Sequence, residues 1–195
     1  MDVYEKLLLE NKAWVQEKLH VNEKYFNKLN QPRHPQTFWI GCTDSRVAPT
    51  VILNRELGDV CKHQNAGPLI QRDDPNSVSA LYHAIVNLHV RHIVICGHTN
   101  CDYVEMSMMG DLPEIMSKWL HPLGDLYQEN KEELRKIGNL HERADKLAEI
   151  SVHRQVENLA EFDFVKKHKA EGHALWLHGW MFDLKTGLIN DVHSL

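Results

Sequence analysis

The chain has 195 residues, enough for one domain with a sizeable core, since 43% of them are hydrophobic. Its 22 basic and 27 acidic residues give a formal net charge of -5, which provides neither the basic footprint of a nucleic-acid binder nor a polybasic face for anionic lipid. The census also holds 14 His beside only 4 Cys. Four cysteines are too few for a disulfide scaffold, but His with Cys is the usual vocabulary of zinc.

In chain order, residues 2–29 predict helix, because Val3, Leu7, Leu8, Trp14, Val15 and Leu19 recur near a 3.6-residue period. Pro32 and Pro35 close that region. Thr37 to Cys42 is a short apolar run ending in Gly-Cys and predicts a buried strand. Val47 to Leu53 follows as a loop or short helix, and Asp59 to Gln64 as a second short strand. Asn76 or Ser77 is placed to cap a helix carrying Val78, Leu81, Ile85, Val86 and Leu88 inward. His92 to His98 is again a buried strand, running through Gly97. Residues 113–170 read as helix-rich, with breaks at Pro122-Leu123-Gly124 and Gly138-Asn139. Ala174 to Asp183 predicts a strand, and Lys185-Thr186-Gly187 a turn into a final one. Continuous apolar strands alternating with helices define an α/β protein with a central, mostly parallel sheet flanked by helices, in a single domain spanning residues 1–195.

No stretch approaches the roughly 20 apolar residues of a membrane helix. The first residues lack the basic and apolar regions of a secretory signal. A cytoplasmic, reducing setting with free thiols is the default expectation, with no membrane and no nucleic acid as partner.

Two strand ends carry the chemistry, Cys42-Thr43-Asp44-Ser45-Arg46 and Gly97-His98-Thr99-Asn100-Cys101. Sites in open α/β sheets form beyond the carboxyl ends of the strands, so both segments should converge. Cys42, His98 and Cys101 then make a Cys2His set that leaves the fourth position of a tetrahedral zinc for water, the mark of a catalytic site. Arg46, two residues from Asp44, can hold that carboxylate in a charge-assisted fork near the metal. Cys61 and Cys96 read as core thiols, His178 as a structural hydrogen-bonder, and His89 and His92 as surface residues.

Cys-Thr-Asp-Ser-Arg, His-Thr-Asn-Cys, the preceding Phe-Trp-Ile-Gly and the late Leu-His-Gly-Trp resemble the β-class carbonic anhydrases, across nearly the whole chain. The resemblance implies Cys42, His98 and Cys101 as ligands of one Zn2+ per subunit, and Asp44 with Arg46 as the catalytic dyad. It implies reversible hydration of carbon dioxide to bicarbonate by a zinc-bound hydroxide. It also implies a homodimer or homotetramer, with N-terminal helices extending to a neighbouring subunit. Three positions depart from the family pattern: Asp102-Tyr103 stands where Gly follows the second Cys, Arg33 where a Gln is common, and Gln64 where an Arg is common. These substitutions motivate two alternatives, a carbonyl sulfide or carbon disulfide hydrolase on the same fold, and a zinc-binding paralogue with little catalysis.

Overall fold

The computed structural model describes residues 2–195, and they fall into two compact units that part after Arg33. The N-terminal unit holds helices α1 (Val3–Val21) and α2 (Tyr25–Leu29). Asp2 and Glu5 form a capping box at the start of α1, satisfying free amides reciprocally. Trp14 meets Tyr25 and Phe26 edge to face, with ring centroids 6.2 and 5.6 Å away, and this aromatic cluster fixes the turn between the helices. Val3, Tyr4, Leu7 and Leu8 on α1 are exposed.

The larger unit, His34 to Leu195, is built on a five-stranded sheet. Its strands are β1 (Thr37–Cys42), β2 (Val60–Asn65), β3 (His92–His98), β4 (Trp176–Phe182) and β5 (Ile189–Ser194). Their order is β2-β1-β3-β4-β5, parallel except for β5, which is antiparallel to β4. The predicted α/β class and mostly parallel sheet are therefore what the chain forms. The chain leaves β1 toward β2 on one side and returns to β3 on the other. The β1/β3 boundary is thus a topological switch point, where the loops leaving two neighbouring strands diverge and open a crevice.

The helices of this unit are α3 (Pro49–Ile52), α4 (Pro75–Tyr82), α5 (Asp102–Met109), α6 (Glu114–Glu129), α7 (Lys131–Leu134), α8 (Leu140–Ala160) and α9 (Asp163–Ala170). Helix α8 is the main buttress of the sheet. Its buried Ala144, Leu147, Ala148, Ser151, Val152, Gln155, Val156 and Leu159 follow a three-and-four spacing, one continuous stripe. Its one large polar member is satisfied, since Gln155 Oε1 accepts the Ile70 amide at 2.9 Å. Gly97 and Gly179 let this helix come close. A Cβ on either would lie within 2.9 Å of Val152 methyl carbons.

Two helix boundaries differ from the sequence expectation, each for a local reason. The cap of α4 is Asp74, whose carboxylate accepts from the Asn76 and Ser77 amides at 3.1 and 3.0 Å, with Pro75 at the first helical position. A π-turn at His83–Asn87 extends α4. Helix α6 runs straight through Pro122 instead of breaking there. Proline cannot donate to the Lys118 carbonyl, a defect of about 3 kcal/mol in a helix interior. The neighbouring His121 ring donates to that carbonyl at 3.1 Å instead. Buried Leu120, Leu123 and Leu126, each contributing roughly 1.5–3 kcal/mol, outweigh what remains of the defect. The break expected at Gly138-Asn139 does occur, with Asn139 capping α8.

No helix among the described residues is long and apolar enough to cross a membrane.

Candidate metal centre

The ends of β1 and β3 bring Cys42, His98 and Cys101 together at the switch point. Their ligand atoms all lie within 4.8 Å of one another, and all three residues are buried. The local sequence explains the placement. Gly41 and Gly97 stand immediately before the two strand-end residues, and each lies against a bulky neighbour that a side chain would overlap, the Trp39 indole and Met181 respectively. Beyond β3 the chain turns through Thr99 and Asn100, the latter left-handed at φ 55°, which swings Cys101 back toward His98. Cys101 is the N-cap of α5.

Each donor is oriented by the backbone around it. His98 Nδ1 lies 2.9 Å from the Thr99 carbonyl. A carbonyl only accepts, so Nδ1 carries the proton and Nε2 presents its lone pair. That Nε2 is buried and has no hydrogen-bond partner, an expensive state for an imidazole nitrogen unless an electrophile is meant to sit there. Cys42 Sγ accepts the Asp44 amide at 3.4 Å and lies 4.0 Å from Cys101 Sγ. Hydrogen bonding from Cys101 is the chief reason the Cys42 thiol ionises well below its ordinary range, against its burial. The same contact, with burial, pushes Cys101 up. Zinc–sulfur bonds of 2.3 Å at a tetrahedral angle put two sulfurs about 3.8 Å apart, so the donor set fits zinc in chemistry and in spacing.

Asp44 and Arg46 stand at the open side. The Asp44 carboxylate accepts three bonds from Arg46: Nε to Oδ1 at 2.9 Å, Nη2 to Oδ2 at 2.6 Å and the backbone amide to Oδ1 at 2.8 Å. This fork holds its ionisation down to about 2. Asp44 Oδ2 is 3.9 Å from His98 Nε2, beside the donor cluster.

The three departures noted in the sequence take definite places. Asp102 opens α5 in its first turn, where a carboxylate complements the helix dipole, and it also lines the cleft with Thr43, Asp44, Arg46 and Tyr103. Tyr103 reaches the Thr43 hydroxyl at 3.3 Å. Gln64 is a brace, its amide donating to the Cys42 and Val47 carbonyls at 2.9 and 3.2 Å. Arg33 belongs to the N-terminal unit.

Sequence reasoning missed Asn65, whose side chain grips both backbone groups of Leu69 at 2.9 and 2.7 Å and shapes the loop behind Cys42. An Asn followed two residues later by Gly is the available signal, since it marks a structured turn. His92 is not a surface residue. It is half-buried, stacked on Trp176 with centroids 5.0 Å apart, and hydrogen-bonded to His178 at 3.0 Å. Cys96 is buried as expected, while Cys61 is only half-buried. His178 is a hydrogen-bonder as read, joining His92 to Ser194.

Fold and site together define a class: an α/β protein with a buried Cys–His–Cys donor set at the carboxyl ends of parallel strands and a carboxylate–guanidinium pair beside it. Comparison with known proteins narrows this. A carbonic anhydrase family model matches residues 37–189. A carbonic anhydrase of Emericella nidulans is 33% identical over 190 residues, covering 97% of this chain and 83% of its own. A tetrameric β-carbonic anhydrase of Sordaria macrospora superposes with a TM-score of 0.96 at 31% identity, covering 100% of both chains. The β-carbonic anhydrase CafA of Aspergillus fumigatus gives 0.92 at 30% identity, covering 97% of this chain and 90% of its own. The chain belongs to the β-carbonic anhydrase family.

Proposed function

We propose that this protein catalyses the reversible hydration of carbon dioxide to bicarbonate, with Cys42, His98 and Cys101 holding one zinc ion and Asp44 and Arg46 as the catalytic dyad. One observation carries the reading: a buried, unpartnered His98 Nε2 shares a 4.8 Å cluster with two thiol sulfurs, and an ionised carboxylate stands 3.9 Å from it. A metal kept for structure alone needs no such carboxylate, still less one locked by an arginine fork.

When bound, zinc supplies the Lewis acidity that brings the ionisation of water down to about pH 7. The side chains do the rest. Asp44, ionised throughout the neutral range, can only accept, so it would accept a hydrogen bond from the attacking oxygen and leave that oxygen a lone pair free for the carbon of the substrate. Arg46 fills the other carboxylate positions and so prevents Asp44 from turning away. Thiolates donate more charge than imidazoles, and this raises the demand on Asp44 to orient the nucleophile.

Oligomerisation and setting belong to the same proposal. The tetrameric relative and the exposed apolar residues of α1 support a homodimer or homotetramer, with residues 1–195 acting as one functional unit. Four free cysteines support a reducing, cytoplasmic setting.

Stopped-flow hydration of carbon dioxide by the zinc-loaded chain tests the reading, with sulfide release from carbonyl sulfide measured in parallel. Fast hydration is expected. Negligible hydration beside rapid sulfide release would transfer the activity to carbonyl sulfide, and turnover of neither would reduce the protein to a zinc binder.

A further inference from the structure

The peptide unit joining Thr99 to Asn100 is held at both of its polar groups. Its carbonyl accepts from His98 Nδ1 at 2.9 Å, and its N–H donates to Asp145 Oδ1 at 2.6 Å. The second contact is short for an amide donor, as befits a carboxylate acceptor. On the far side of Asn100 its own carbonyl accepts from Arg46 Nη2 at 3.1 Å, the nitrogen that also holds Asp44 Oδ2. Asn100 sits at φ 55°, the left-handed state that asparagine adopts more readily than most residues, and the bonds to its N–H and carbonyl anchor that turn on both sides.

Asp145 is well founded for that task. It lies on α8 between buried Ala144 and Leu147, on the helix that packs against β3 and β4. Its carboxylate is half-buried, and the ionisable groups around it are His141, His98 and Asp183. His141, one turn earlier, is itself hydrogen-bonded to Glu105 of α5 at 2.8 Å. A hydrogen bond thus joins α5 to α8 one turn before Asp145.

We propose that Asp145 is a positioning residue for the metal centre: through one peptide unit it fixes the ring orientation of His98, and through Asn100 it fixes the carbonyl that steadies Arg46. A carboxylate that aims a metal-ligating histidine ordinarily does so by direct hydrogen bond. Here a backbone amide stands between them and passes the polarisation on, since an N–H bonded to a carboxylate makes its carbonyl a stronger acceptor. The role rests on the carbon dioxide reading only for its effect on turnover; the effect on metal binding needs the donor set alone.

The test uses the full zinc-loaded chain with D145A and D145N. D145A is expected to weaken zinc binding about tenfold in competition with a chelator and to lower kcat about tenfold, with KM little changed, as outer carboxylates of metal sites do. The Asn100 amide proton, assigned by NMR in the wild type, should move upfield in D145A as its short bond is lost. D145N keeps an acceptor oxygen and should recover most of both losses. Should D145A not fold, D145L removes the same acceptor without leaving a void and is read in the same way. Wild-type zinc affinity and kcat in D145A, or a D145N as impaired as D145A, would overturn the proposal. Should the wild type fail to hydrate carbon dioxide, zinc affinity and the Asn100 signal still decide it, because neither depends on turnover.

Discussion

Strand β3 begins and ends in histidine, and its two ends have opposite chemistry. At the start, His92 is stacked on Trp176 and bonded to His178, which in turn reaches Ser194, itself bonded to Asp191 at 3.1 Å. Both ring nitrogens of His178 are satisfied there. At the end, His98 is fully buried, one ring nitrogen is satisfied by backbone, and the other faces two sulfurs with no partner. Residue type and strand are shared; burial and the polar accounting differ. An imidazole with both nitrogens occupied is structure, whereas a buried one with a spare lone pair is an invitation to a cation.

The comparison breaks most sharply under substitution at the two ends. H98A or C101S is expected to abolish stoichiometric zinc and reduce hydration to background, measured by metal analysis and stopped flow. H92A and H178A should retain zinc and turnover. Next in size, D44N should keep zinc and lower kcat by about 10–100-fold, the range seen when the carboxylate beside a metal site is lost. Smaller again, H178A should cost about 1 kcal/mol in denaturant unfolding, as His92 and Ser194 lose a shared partner.

That end of the strand also has a pH signature. Burial, then the neighbouring His92, holds the His178 ionisation below its ordinary value. The unfolded chain therefore binds a proton near pH 6.5 that the folded chain resists, so stability falls as pH drops below that value until the folded ring itself protonates. In H178A this slope should flatten. Of similar size is the effect at the helix cap, where D74A should lower stability by about 1 kcal/mol without altering zinc content or turnover.

Much of this was legible in the amino acids. Apolar runs ending in glycine placed β1 and β3, and the two segments following them brought all three donors and the dyad to one point. What was not legible depends on long-range geometry. Pro122 reads as a helix breaker until His121 is seen to take over the orphaned carbonyl. Asp145 reads as one more charge in a solvated helix, because nothing local to residue 145 records that Asn100 lies against it. The cap of α4 falls on Asp74 and not on Asn76 or Ser77 because Pro75 takes the first helical position. His92 looked exposed because its cover comes from Trp176, on a strand far along the chain.

The divergence of the chain at the β1/β3 boundary has one more effect. Cys42 and Cys101 are 59 positions apart, although their strands are neighbours. An ion joining them has its donor set only while those positions are held together, so its binding free energy adds to that of folding. Metal occupancy and global unfolding are therefore coupled: the loaded chain should melt in one transition and release its ion only as the sheet parts, and the lifetime of the fold should track the supply of the metal.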